Sequence, residues 1–83
     1  MTVLYFAWVK EKVGMSTETL TPPTDVTTVG ALMDWLTVRG PGHAAAFADR
    51  SLIKAAVDQV HVPHTAPLAG AKEVAFFPPV TGG

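Results

Sequence analysis

Cysteine is absent from the 83 residues of this chain, and its absence removes disulfide scaffolds, zinc knuckles and thiol chemistry together. Any chemistry here must use another group. Charge is scarce as well: 16% of residues are charged, six basic against seven acidic, for a formal net charge of -1. The basic residues Lys10, Lys12, Arg39, Arg50, Lys54 and Lys72 are scattered, which argues against nucleic acid as a partner, because a phosphate backbone selects for a basic face. No apolar run approaches the roughly 20 residues that a membrane span needs. The segment MTVLYFAWVKEK also lacks a basic stretch ahead of its apolar one, unlike a secretory signal. A cytoplasmic protein without membrane contact is expected.

What is present is apolar: 48% of the residues, enough for one core and not two. A domain of this size removes only about 60% of its unfolded surface from water. With so few charges, some apolar surface is expected to stay exposed for a partner. From Thr2 to Lys10 the chain alternates Val3, Tyr5, Ala7, Val9 with Leu4, Phe6, Trp8, a β-branched and aromatic run that predicts a central strand. Gly14 breaks it, and Ser16 to Leu20 reads as the returning arm of a hairpin closed by Pro22 and Pro23. Thr27 or Thr28 can cap a helix whose Val29, Leu32, Met33 and Leu36 recur at i, i+3, i+4 and i+7, ending near Arg39 before Gly40 and Pro41. Residues 43–49 allow another short helical turn. Ser51 to Val62 is again β-like, and Glu73 to Phe77 is a last short strand. This order predicts an α+β domain of β-grasp, ubiquitin-like type: a mixed sheet with one main helix packed across one face, residues 1–77, followed by a flexible C-terminal Gly-Gly tail, residues 78–83. With the first and last strands side by side, Phe6, Trp8 and Phe77 would form one apolar patch.

The tail Pro78-Pro79-Val80-Thr81-Gly82-Gly83 is stiff where it leaves the domain and slender at its end. Extended, its six residues reach about 20 Å. Gly82 and Gly83 lack a Cβ and can thread a channel too narrow for any side chain. The group they deliver is the α-carboxylate of Gly83, ionised at neutral pH and a poor electrophile until activated. This chain has no phosphate-binding loop, so a separate enzyme using ATP would make the acyl-adenylate. Attack by a sulfur donor would then leave a nucleophilic thiocarboxylate. A Gly-Gly end is also what a frayed terminus looks like, so the dipeptide alone does not decide the matter.

The whole stretch Glu73-Val74-Ala75-Phe76-Phe77-Pro78-Pro79-Val80-Thr81-Gly82-Gly83 resembles the C-terminal signature of the small, sulfur-carrying subunits of molybdopterin synthase. Val3-Leu4-Tyr5-Phe6-Ala7, Thr28-Val29 with Ala31-Leu32, and Ala55-Ala56-Val57-Asp58-Gln59 resemble that family at matching intervals. The resemblance implies a ubiquitin-like fold and a thiocarboxylate on Gly83. That group donates sulfur to cyclic pyranopterin monophosphate, building the molybdopterin dithiolene. It implies two protein partners besides the sulfur donor: an adenylating enzyme and a large synthase subunit, two small and two large subunits forming a heterotetramer. The chain itself would bind no cofactor and would not be catalytic alone. The expected partner surface is Phe6, Trp8, His61, Phe77, Pro78, Pro79, Val80 and Thr81. Two positions depart from the family pattern: Gly30, where a helix-favouring residue is expected, and His61, where an apolar contact is expected.

Other readings attach to single residues. His61 and His64 resemble a metal pair, but with only His43 as a third imidazole the chain falls short of the three or four convergent ligands zinc wants. Trp8 and Trp35 read as core or interface, and Asp49 and Asp58 give no sign of an acid-base pair. A thiamine-type carrier and a protein modifier that forms isopeptide bonds through Gly83 share the same activated acyl group. An inert tail on an interaction module is the remaining alternative.

Overall fold

The computed structural model describes residues 1–79. Along the chain come β1 (Thr2–Tyr5), α1 (Ala7–Val13), β2 (Thr17–Thr19), α2 (Val29–Thr37), α3 (Pro41–Ala46), a 3₁₀ turn (Arg50–Leu52), β3 (Lys54–Val57), β4 (Val60–Val62) and β5 (Glu73–Phe77). The strands form one mixed sheet in the order β2-β1-β5-β3-β4. β1 pairs with β5 in parallel and every other neighbour is antiparallel. This is the expected β-grasp arrangement, with the capped helix α2 against one face.

The register sorts the side chains into two faces. Val3 lies opposite Val74 and Tyr5 opposite Phe76, while Ala55 and Val57 continue the same rows on β3. These residues meet Val29, Leu32, Met33 and Leu36 of α2 in one core. Phe47, just after α3, stands edge-on to Phe76 at 5.1 Å between ring centroids. α2 starts where the threonine cap predicts: the Thr28 hydroxyl accepts from the Ala31 amide at 3.1 Å. Gly30, poor for a helix in isolation, is explained by packing. A Cβ there would lie 3.3 Å from the His64 carbonyl oxygen, which accepts the Gly30 amide at 2.8 Å.

The first strand is shorter than its alternation predicts. It stops at Tyr5, Ala7 turns the backbone at φ 53, and residues to Val13 are helical. Within α1, Val9 and Val13 are buried one turn apart, and Gly14 closes the helix in the left-handed region at φ 92, its amide bonding the Lys10 carbonyl at 2.8 Å. The return to β2 therefore carries a helix and not a tight turn. The short helical turn expected near residues 43–49 exists as α3, which packs tightly on α1. At Gly42 an added Cβ would approach the Lys12 carbonyl oxygen to 2.6 Å. The long β-like stretch from Ser51 to Val62 divides into a hairpin, β3 and β4, around Asp58 and Gln59, whose φ of 47 and 71 define a two-residue primed turn. Asp58 is not an acid-base group there. Its carboxylate accepts the amides of Lys72 at 3.0 Å and Glu73 at 2.9 Å, tying the hairpin to β5.

One polar cluster enters the core. Glu18, on edge strand β2, shares the inward face with Val3. It accepts from the Tyr5 hydroxyl at 2.7 Å and lies 2.6 Å from His43 Nε2, with Arg39 at 3.9 Å. Burial pushes the Tyr5 phenol well above its usual range, helped by the Glu18 hydrogen bond and charge. Burial also pushes the Glu18 carboxyl upward, but the hydrogen bonds from His43 and Tyr5 and the charges of His43 and Arg39 outweigh it and hold the group below its ordinary 4.5. An inward charge on an edge strand also blunts that edge against pairing with another chain.

Two outcomes are expected. Because the Glu18 carboxyl is depressed, its stabilisation is present above the ordinary carboxylate value and is lost as pH falls below 4.5. Because the Tyr5 phenol is raised, its contribution is lost as pH rises past 10.0. Urea midpoints across pH should fall at both ends, and Glu18→Gln should flatten the acid limb. Gly42→Ala should cost about 1–3 kcal/mol, read as a lower urea midpoint at unchanged slope.

Candidate functional site

Parallel strands end at the same side of a sheet, so the pairing of β1 with β5 brings Phe6 and the Phe77-Pro78-Pro79 exit together. The Phe6 amide donates to the Phe76 carbonyl at 3.1 Å. Phe6 keeps extended backbone angles, so strict alternation places it on the face of Leu4, away from the core. By the same rule Phe77 follows the buried Phe76 and faces outward, beside Lys54 of β3. His61 lies opposite Ala56 on β4, and its ring leans on Phe77 with centroids 5.1 Å apart.

The outer face thus has small side chains at its centre and rings at its rim. Ala56 and Ala75 are nearly covered, at 7% and 8% exposure, although they lie outside the core cluster. Phe6, by contrast, is 49% exposed. Towards the tail exit the rim opens into a groove of about 560 Å³ lined by Lys54, His61, Val62, Pro63, Phe77 and Pro79. An apolar floor with a ring at either side, where the described chain ends, is suited to docking another protein.

The residues expected at the partner surface are not all brought together. Phe6, His61, Phe77, Pro78 and Pro79 gather at the exit end of the sheet. Trp8 does not join them. Since α1 replaces the predicted strand there, its side chain is carried into a groove between α1 and α3 with Lys12, Ala45 and Leu52. Val80, Thr81, Gly82 and Gly83 lie outside the described residues. His61 and His64 do not converge. His61 leans on Phe77 at the outer face, whereas His64 Nε2 donates to the Ile53 carbonyl at 2.8 Å. Among the described residues no group of three or more His, Asp or Glu side chains is placed to hold a metal ion, and no helix is long and apolar enough to cross a membrane. Sequence reasoning missed Lys54. Alternation puts it opposite to Ala55, but only the pairing with Phe77 reveals its place at the groove.

The fold defines a small β-grasp domain whose last strand ends beside an apolar groove. The chain belongs to the ThiS family, whose model matches residues 3–83. It is 44% identical over 81 residues, 98% of this chain and 96% of the relative, to a molybdopterin synthase sulfur carrier subunit of Escherichia coli (strain K12). It is 34% identical over 83 residues, 100% of this chain and 99% of the relative, to the protein of the same name in Haemophilus influenzae. Among solved structures it is similar to SAMP1 from Haloferax volcanii, with a TM-score of 0.72 and 26% identity, covering 100% of this chain and 98% of the other.

Neighbouring phenylalanines should behave oppositely on truncation. Phe76→Ala, at a fully buried position, is expected to cost about 3–5 kcal/mol. Phe6→Ser should change stability by no more than about 0.5 kcal/mol, both read from chemical denaturation.

Proposed function

We propose that this chain is the sulfur-carrier small subunit of molybdopterin synthase and that it carries sulfur as a thiocarboxylate on Gly83. The observation that carries the reading is the 44% identity to a carrier subunit of that name over nearly the whole of both chains. The docking face at the root of the tail supports it physically. The chain presents the tail and its partners do the chemistry.

A carboxylate oxygen of Gly83 attacks the α-phosphorus of ATP in the adenylating enzyme and pyrophosphate leaves. A donor of sulfide-level sulfur then attacks the acyl carbon, AMP leaves with a proton released, and the terminus becomes a thiocarboxylate. This anion is a soft nucleophile, and the slender Gly82-Gly83 end takes it into the active site of the large subunit. There sulfur attacks a carbon of cyclic pyranopterin monophosphate, the oxygen substituent on that carbon leaves, and water then cleaves the resulting acyl–sulfur bond. Sulfur stays on the substrate and the carboxylate of Gly83 is regenerated. A dithiolene contains two sulfurs, so the carrier is loaded and delivered twice for each product. ATP belongs to the activating enzyme, and no cofactor is proposed for this chain. The proposed assembly is a heterotetramer of two small and two large subunits in the cytoplasm. Phe6, His61, Phe77, Pro78, Pro79, Val80 and Thr81 are the proposed contacts with the partners.

Appending one residue after Gly83 is expected to abolish molybdopterin formation in cells that lack their own small subunit, with an unchanged melting temperature. Undiminished synthesis by that variant would contradict the mechanism.

A further inference from the structure

The groove at the tail exit is apolar except for two nitrogen-bearing side chains, Lys54 and His61, and no carboxylate lines it among the described residues. Of the other cations, Arg50 pairs with Asp34 at 2.5 Å and Arg39 lies 3.9 Å from Glu18 and 4.8 Å from the Trp35 ring centroid, while Lys10, Lys12 and Lys72 form no ion pair among the described residues and do not line this groove. Lys54 forms no ion pair among the described residues. It is exposed, and it neighbours Phe77 directly across β3 and β5.

Pro79, the last described residue, lines the same groove. A protein seated on this groove at Pro79 therefore covers Lys54 as well. Covering Phe77 with an apolar partner surface would strip water from the adjacent ammonium group. A desolvated charge with no counter-charge opposes association, while a matched carboxylate steers it and rejects the wrong surface.

Resting on the reading of this chain as the small subunit, we infer that Lys54 is a specificity-determining contact for the large synthase subunit. That subunit sets a carboxylate against Lys54, beside an apolar side chain seated on Phe77 and His61. The device differs from apolar docking alone, because it makes recognition dependent on charge and ionic strength.

The test is calorimetric titration of this chain with the large synthase subunit from the same organism, at salt of about 50 mM and about 500 mM, which change the screening length severalfold. Lys54→Glu should weaken binding at least about tenfold at low salt, with a smaller deficit at high salt. Lys54→Arg should bind within about twofold of the parent. Unchanged affinity of Lys54→Glu, or an equal loss at both salt concentrations, would overturn the inference while leaving the proposed function intact. Failure of the parent chain to bind the large subunit would remove both. Sedimentation of the chain alone gives an independent check: a dimer dissolved by Lys54→Glu would assign the groove to a second copy and overturn the inference.

Discussion

The parallel pairing of β1 with β5 is the constraint on which the rest of the molecule depends. Parallel neighbours cannot be joined by a tight turn, so the chain between them must travel, and on the way it lays α1, α2 and α3 against the core face. Because the two strands run the same way, their ends coincide. Phe6 and Phe77 are thereby held at one end of the sheet, at the root of the terminal segment. The same register gives the core Val3, Tyr5, Val74 and Phe76, and gives the outer face Leu4, Ala75 and Phe77. Core and outer apolar face are thus two sides of one pairing.

Around that pair the structure uses few polar contacts, each at a place where elements must be joined. Glu18 ties edge strand β2 to Tyr5 of β1 and to His43 of α3. Asp58 ties the outer hairpin to the start of β5, and the His64 carbonyl receives the first turn of α2. None of these groups lies at the tail exit. They hold the sheet from its core side and its ends, away from the apolar outer face.

Much of this was legible in the amino-acid sequence because local signals agreed. Thr28 with the Val29, Leu32, Met33, Leu36 spacing marks α2, and the run Glu73 to Phe77 marks β5. α1 was not legible in the same way. From Val3 to Val9 both alternating sets are apolar, and a uniformly apolar run satisfies a strand period as readily as a buried helix. The signals that distinguish them are Val9 and Val13 one turn apart and the closing Gly14. Trp8 follows from that error, since its face changes with the element that carries it. His61 stood out as a departure from an apolar contact, and its ring nevertheless packs on Phe77. Lys54 could not be placed from the chain alone, because its role arises only when β3 and β5 pair. The chemistry assigned to Gly83 comes from the sequence and its resemblance, because that residue lies outside the described ones.

The central claim is that the carboxylate of Gly83 is the group that is loaded. The most direct measurement is the intact mass of the protein after incubation with ATP, the adenylating enzyme and a sulfur source, followed by fragmentation to locate the change. The account predicts replacement of one oxygen by one sulfur, confined to Gly83. An unaltered mass, with the same enzyme shown to be active on another carrier, would contradict it.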